Sequence, residues 1–241
     1  MIEKIFHKIE KLPYLWRSLY WAYLKYIDER FGHVIIKKDS LGFLLKELTG
    51  ISFPLDDYDY LEELTDYDLT HFREDDVVLN IGAGGGLYAI LAAMICRKVY
   101  VIEPLIGDVL QSNIDNSCVK DKIQVLPYAF GKNCEIVCEY WGKRELVKSK
   151  SLDRILKELN PPPTIIKCDC EGCEFDGFQF DALTPQDLES IRIIEMEYHT
   201  NDASNLSAFL ENLEKHGFAV KIREKIPVPE FKFIGVLYAI K

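Results

Sequence analysis

Two carboxylates and a histidine follow apolar segments in the C-terminal half of the chain. Asp169 and Glu171 come at and just after the end of the apolar run 164–169, and His199 follows the run 191–196. Carboxylates and imidazoles can take a proton from a substrate hydroxyl. We therefore predict that Asp169, Glu171 and His199 are catalytic, although His199 could instead be a surface or hydrogen-bonded structural residue.

A glycine cluster indicates a second site. The apolar run 77–81 breaks into Gly82, Ala83, Gly84, Gly85 and Gly86 and then continues as a helix-favouring segment, 87–94. Glycine reaches positive φ without a Cβ clash and lets a ligand lie against bare backbone. The pattern predicts strand, tight turn and helix, with a nucleotide-like ligand at the carboxyl edge of a sheet. The alternative is a corner that only lets the helix pack on the strand.

Glu103 ends the next predicted strand, 99–102, and stands 19 residues after Gly84. This spacing suits a carboxylate that holds ribose hydroxyls. A dinucleotide fingerprint needs Gly or Ala at the sixth position counted from Gly82, and that position is Leu87. S-adenosylmethionine therefore fits the loop at least as well as a nicotinamide dinucleotide.

The elements that must position these residues alternate along the chain. Further strands are predicted over 122–127, 164–169 and 191–196, and helices over 107–116, 152–159 and 203–216, with Ser151 as an N-cap. A hairpin is predicted over 135–147, and two strands, 219–223 and 231–240, end the chain. Alternation of this kind indicates an α/β fold with a seven-stranded, mostly parallel sheet, one strand of which is antiparallel.

Composition narrows the classes of function. The 241 residues carry a net charge of −10, which argues against a broad nucleic-acid surface. We divide the chain into an N-terminal helical arm with an acidic segment, 1–75, and a ligand-binding domain, 76–241. Basic residues interrupt every apolar run in the arm, so we predict no transmembrane segment and a cytoplasmic protein.

The arm and the acidic segment leave several alternatives open. Residues 1–30 could pack on the domain or on a second copy in a homodimer, could cover the acceptor site, or could lie on anionic lipid. The segment 51–76 contains ten acidic residues and one arginine, and we predict a helix over 60–72 that leads into the first strand.

Seven cysteines include Cys168, Cys170 and Cys173 close together. An odd total favours reduced thiols, and the group lacks a second ligand pair at zinc-finger spacing. We therefore predict small core-filling thiols and no metal site.

Taken in order, these motifs resemble the FkbM family of S-adenosylmethionine-dependent methyltransferases over about residues 77–199. The residues that carry the resemblance are Val78-Leu79-Asn80-Ile81-Gly82-Ala83-Gly84, Glu103-Pro104, Asn113-Ile114-Asp115-Asn116, Tyr128-Ala129-Phe130-Gly131, Ser151-Leu152-Asp153, the segment Lys167 to Glu174, and Glu197-Tyr198-His199. The segment Lys-x-Asp-x-Glu-Gly-x-Glu, 167–174, is far more specific than the glycine loop.

The resemblance implies a class I methyltransferase fold, Rossmann-like with helices on both faces of the sheet, and S-adenosylmethionine as cofactor. The residues implied in cofactor binding are Asn80, Gly82, Ala83, Gly84, Gly86, Glu103 and Ala129, with Glu103 on the ribose and Ala129 near the adenine. The family usually has aspartate where this chain has Asn80, which keeps hydrogen-bonding capacity but loses the charge.

The implied reaction is methyl transfer to a hydroxyl oxygen of a sugar or small metabolite. We expect most of the rate acceleration to come from alignment of acceptor and methyl group, with a general base that faces the acceptor. The alternatives are a noncatalytic cofactor-binding protein of the same fold and a methyltransferase that acts on RNA or protein. The acidic balance disfavours RNA.

Overall fold

The computed structural model of the chain describes residues 66–105, 107–140 and 143–241. The predictions for the arm, for membrane contact through residues 1–30, and for the acidic segment up to residue 65 lie outside the described residues. Within the described part, no helix has the length and apolar character needed to cross a membrane.

Ten strands and five α-helices form the described part of the chain. The strands are β1 (Val77–Ile81), β2 (Lys98–Ile102), β3 (Ile123–Leu126), β4 (Ala129–Phe130), β5 (Glu135–Tyr140), β6 (Lys143–Lys150), β7 (Ile165–Cys168), β8 (Ile193–Thr200), β9 (Ala219–Glu224) and β10 (Phe233–Ile240). The helices are α1 (Leu87–Ile95), α2 (Gly107–Asp115), α3 (Leu152–Glu158), α4 (Glu174–Gly177) and α5 (Ala203–Lys215). Short 3-10 helices cover Leu69–His71, Lys120–Lys122 and Phe180–Ala182.

Seven strands form the main sheet in the order β3-β2-β1-β7-β8-β10-β9. Neighbouring strands are parallel except that β10 runs antiparallel to β8 and β9. The prediction of a seven-stranded sheet with one antiparallel strand is confirmed. The strand order reverses between β1 and β7, so the carboxyl ends of these two strands bound the crevice in which open α/β sheets bind ligands.

Helices cover both faces of the sheet. On one face Val78, Val101 and Ile165 pack against α1 and α2, and on the other Leu79, Ile166 and Ile194 pack against α3 and α5. Strands buried on both sides are apolar along most of their length, which is why β1, with Asn80 as its one polar residue, was recognisable in the sequence. The predicted hairpin forms β5 and β6, which join β4 in a separate three-stranded sheet.

Two local predictions are wrong in their bounds. Tyr67 and Asp68 are not helical, because the side chain of Asp68 accepts a hydrogen bond from the Thr70 N–H and begins the 3-10 helix Leu69–His71. The fifth predicted strand does not end at Met196, because β8 continues through His199 to Thr200 along its partner β10. Ser151 is the N-cap residue of α3, as predicted, although its hydroxyl hydrogen-bonds to the carboxylate of Asp153 and not to a backbone N–H of the helix.

The residues just before β1 belong to the core. Tyr67, Leu69 and Phe72 are buried against the face of the sheet that α1 covers. The boundary between residues 75 and 76 stays a prediction.

Candidate active site

A glycine corner with left-handed backbone joins β1 to α1. Gly82, Gly84 and Gly86 have φ of +70°, +51° and +90°. A Cβ on Gly82 would lie 1.6 Å from the backbone oxygen of Asp169, so the corner packs directly on the end of β7. Only glycine satisfies both the positive φ and this close approach.

Glu103 braces the same corner from the end of β2. Its Oε2 accepts a hydrogen bond from the Gly84 N–H at 3.1 Å, and its Oε1 accepts one from the Leu105 N–H at 3.0 Å. A Cβ on Gly84 would meet nothing within 4 Å. The corner thus presents bare backbone beside open space and a carboxylate with spare lone pairs, which is the arrangement that a ribose-bearing ligand requires.

The other residues predicted to bind cofactor are buried. Asn80, Ala83, Gly86 and Ala129 lie within the packed structure, the last in the short strand β4. Both amide atoms of Asn80 are buried without a hydrogen-bond partner among the described residues. Of the predicted set, Gly82, Gly84 and Glu103 are the residues partly exposed in the described structure.

Lys167 connects the glycine corner to Asp169, which follows the carboxyl end of β7. This fully buried lysine donates from Nζ to the Gly82 carbonyl at 2.8 Å and lies 3.5 Å from Oδ2 of Asp169. The same Oδ2 accepts a hydrogen bond from the hydroxyl of Tyr67 at 3.0 Å. The two predicted sites are therefore adjacent and share one network of hydrogen bonds.

The loop between β7 and α4 folds back on Glu174. Oε1 of this fully buried carboxylate accepts hydrogen bonds from the N–H groups of Cys170 and Gly172, each at 3.3 Å. Glu171, at the apex of the loop, has a left-handed φ of +58°.

Cys170 and Cys173 form a disulfide across this loop, so the prediction of reduced thiols is wrong for this pair. The loop brings their Cα atoms to 5.6 Å, which is within the normal range for a disulfide. Cys168 is a buried free thiol in the core, as predicted.

His199 lies inside β8 and is 5% exposed. Its Nδ1 is 3.0 Å from Oε1 of Glu174, and its Nε2 is 3.5 Å from Glu197 and 3.6 Å from Glu171. Burial alone lowers the pKa of the ring, but the carboxylates of Glu174 and Glu197 outweigh it and raise the pKa of His199 to about 10. At neutral pH the imidazole is therefore protonated.

The neighbouring carboxylates differ in their electrostatic surroundings. Partial burial, together with the charges of Asp169 and Glu197, raises the pKa of Glu171 above its usual value. Burial also acts to raise the pKa of Glu197, but the hydrogen bond from His199 and the charge of Lys225 outweigh it and lower that pKa. Nζ of Lys225 lies 2.8 Å and 2.9 Å from the two oxygens of Glu197.

The structure brings all three predicted catalytic residues together and adds four that were not predicted as site residues. These are Tyr67, Lys167, Glu174 and Lys225. Lys167 and Glu174 occupy fixed positions of the segment 167–174, which was a signal that could have found them. Tyr67 and Lys225 lie far from that segment in sequence and carried no such signal.

Comparison with solved structures identifies the fold. The chain aligns with an FkbM methyltransferase from Methylobacillus flagellatus at TM-score 0.52 and 17% identity, over 70% of this chain and 44% of that one. It aligns with the METTL16 methyltransferase domain at TM-score 0.51 and 16% identity, over 84% of this chain and 78% of that domain. The chain thus spans less than half the length of the FkbM methyltransferase that it matches.

The chain has the class I methyltransferase fold. This agrees with the sheet order, the single antiparallel strand and the glycine corner at the end of β1. Neither a family model nor a curated protein sequence matches the chain.

Proposed function

We propose that this protein is an S-adenosylmethionine-dependent methyltransferase that methylates a hydroxyl oxygen of a sugar or small metabolite. The observation that carries the proposal is the contact between two half-sites. The cofactor half-site is the glycine corner at Gly82, and the acceptor half-site is formed by the carboxylates around Asp169. Lys167 contacts both, since it donates to the Gly82 carbonyl and lies beside Asp169.

The cofactor half-site fits its ligand in two respects. Gly84 is open on the side where a Cβ would project, and Glu103 places a carboxylate against that glycine. Bound there, S-adenosylmethionine would supply an electrophilic methyl group on a sulfonium.

The acceptor half-site can orient a hydroxyl and remove its proton. Asp169 and Glu171 are the bases that we assign, since a raised pKa makes the Glu171 carboxylate a better proton acceptor near neutral pH. His199, protonated in the ligand-free site, serves as a cationic donor that orients the acceptor oxygen. The base faces the acceptor, because a carboxylate against a sulfonium would stabilise the cationic ground state more than the transition state.

Calorimetric titration of the full chain with S-adenosylmethionine and S-adenosylhomocysteine tests the cofactor half-site. We expect binding in the micromolar range that Glu103→Ala weakens at least about tenfold, since the variant loses a charged acceptor for a ribose hydroxyl. Glu145→Ala, which removes an exposed carboxylate on β6, is the matched control and should bind as the unchanged protein does. Absence of binding by the unchanged protein would contradict the proposal.

A screen of hydroxyl-bearing acceptors tests the acceptor half-site. With an active acceptor, Asp169→Asn and Glu171→Gln should each lower turnover by about 10²–10⁴-fold, the usual contribution of a general base, with affinity for S-adenosylhomocysteine unchanged. A protein that binds the cofactor but methylates no acceptor would favour the noncatalytic alternative.

A further inference from the structure

Three metal-ligand side chains converge at the acidic edge of the sheet. Asp169 at the end of β7, Glu171 in the following loop and His199 in β8 each offer one donor atom, and these atoms all lie within 4.8 Å of one another. Two carboxylates and an imidazole are donors that divalent cations use in proteins.

The hydrogen bonding of His199 is that of a metal-binding histidine. Its Nδ1 lies 3.0 Å from the fully buried carboxylate of Glu174, which leaves Nε2 on the side of Glu171 and Glu197. Histidines that bind metals almost always donate the other ring N–H to a carboxylate or carbonyl. The sequence prediction of no metal site weighed cysteines as ligands, whereas this set contains none.

A second observation concerns an orphaned oxygen. Oε2 of Glu174 is buried and has no hydrogen-bond partner among the described residues. A buried carboxylate oxygen without a partner needs a positive charge nearby, which the protonated ring of His199 supplies in this structure and which a cation on Nε2 would supply once the ring is neutral.

The net negative charge of the cluster also favours a bound cation. With His199 protonated, the described side chains of the cluster contribute five negative charges and four positive ones, and loss of the Nε2 proton on coordination raises the difference to two. The carboxylates are Asp66, Asp169, Glu171, Glu174 and Glu197, and the cations besides His199 are Lys167, Lys225 and Arg223. A divalent cation would balance the difference of two charges.

We propose that Asp169, Glu171 and His199 bind a divalent transition-metal cation of the Mn²⁺ type. A mixed oxygen and nitrogen set suits such a cation, whereas Ca²⁺ takes six to eight oxygen ligands. The side chain of Glu171 is 55% exposed, so the cation keeps open positions for water or for an acceptor oxygen. This inference goes beyond the proposed function, because it requires neither the cofactor nor methyl transfer. With the cation bound, His199 is neutral and the cation replaces it as the positive group that orients the acceptor oxygen.

Binding requires a small contraction and the loss of one proton. Ligands about 2.1 Å from one ion lie about 3.0 Å apart when cis and about 4.2 Å apart when trans, so a pair now 4.8 Å apart must approach by at least about 0.6 Å. Glu171, exposed at the apex of its loop, can make that movement. A coordinating imidazole is neutral, so the Nε2 proton of His199 leaves for solvent as the cation binds.

Electron paramagnetic resonance of Mn²⁺ measures binding directly, because free hexaaqua Mn²⁺ gives a sharp signal that broadens on coordination. We expect the full chain, freed of metals with a chelator, to bind one Mn²⁺. Asp169→Asn and Glu171→Gln should each weaken binding at least about tenfold, and Glu174→Gln by about 10–100-fold through His199. Glu145→Gln is the matched control and should leave the affinity unchanged.

The proposal is overturned if the unchanged protein binds no Mn²⁺ at millimolar concentration, or if Asp169→Asn and Glu171→Gln bind it as tightly as Glu145→Gln does. Displacement of Mn²⁺ by equimolar Ca²⁺ would overturn the choice of a transition-metal cation. Because Glu171 is exposed, Glu171→Gln keeps the test valid even if Asp169→Asn fails to fold. Titration of the same samples with S-adenosylhomocysteine separates the two proposals, since either ligand can bind without the other.

Discussion

A buried ammonium group bridges the two halves of the candidate site. Lys167 is fully buried, donates to the Gly82 carbonyl and lies beside Asp169, and its Nζ is 4.9 Å from the centre of the Tyr67 ring. A lysine buried in this way must keep its partners, because an uncompensated charge in the interior is strongly unfavourable.

Lys167→Met should therefore destabilise the protein and loosen the glycine corner. Methionine fills similar space but leaves the Gly82 carbonyl without its donor, which costs about 1–3 kcal/mol of unfolding free energy. We also expect weaker binding of S-adenosylhomocysteine. Urea unfolding and calorimetry measure the two effects, with Lys221→Met on the exposed edge strand β9 as the control. Equal stability of both variants would show that the ammonium is not the link between the half-sites.

At the scale of elements, the corner between β1 and α1 distinguishes two kinds of glycine. Gly82 and Gly84 both have positive φ, but a Cβ would strike the backbone of Asp169 at Gly82 and meets open space at Gly84. Strain from the left-handed conformation should cost each alanine variant about 1–2 kcal/mol. The contact at Gly82 should cost about 1–3 kcal/mol more, because backbone must move.

Urea unfolding of Gly82→Ala and Gly84→Ala tests this difference, and each variant is the other's control. Similar losses of stability would contradict the close approach of Gly82 to β7. Binding measurements give an independent check. Gly84→Ala places a methyl group in the space assigned to the cofactor, so it should weaken S-adenosylhomocysteine binding more than its loss of stability would suggest.

The sequence predicts the elements whose formation depends on local residue patterns, and it does not predict those that depend on contacts between distant residues. The strand β1 and the corner after it were predictable, because burial on both faces demands an apolar run and the positive φ values demand glycine. The continuation of β8 to His199 was not predictable. Its polar residues remain in the strand because β10 pairs with them across the sheet and Lys225 compensates Glu197. Contacts of this range, like that of Tyr67 with Asp169, leave no periodic signal.

At the scale of the whole molecule, Asp76 joins the starts of three neighbouring strands. It immediately precedes β1, accepts a hydrogen bond from Thr164 before β7 at 2.7 Å, and accepts another from Nε of Arg192 before β8 at 3.0 Å. It also accepts one from the Arg73 N–H at 2.6 Å and is 3% exposed. These contacts lie at the edge of the sheet opposite the candidate site.

The charge of Asp76 should make the stability of the molecule depend on pH. Burial acts to raise the pKa of this carboxyl, but the hydrogen bonds from Arg192 and Thr164 outweigh it, and the folded-state pKa lies below 3.8. A carboxyl whose pKa is lowered by folding stabilises the protein above its unfolded-state pKa, and this contribution is lost as the pH falls through the folded-state value.

Asp76→Asn should therefore cost about 3–5 kcal/mol of unfolding free energy at pH 7, because it leaves Arg192 without its buried partner. The cost should lie near the lower bound, because the side chain of Arg192 is 19% exposed and water compensates part of the loss. The difference between the two proteins should begin to shrink below about pH 4, where Asp76 of the unfolded chain takes up a proton, and should continue to shrink as the pH falls through the lower folded-state pKa. Urea unfolding at pH 7 and at pH 3 measures both effects, with Asp181→Asn as an exposed control. A difference that stays constant between the two pH values would mean that Asp76 acts through its shape and neutral hydrogen bonds, not through its charge.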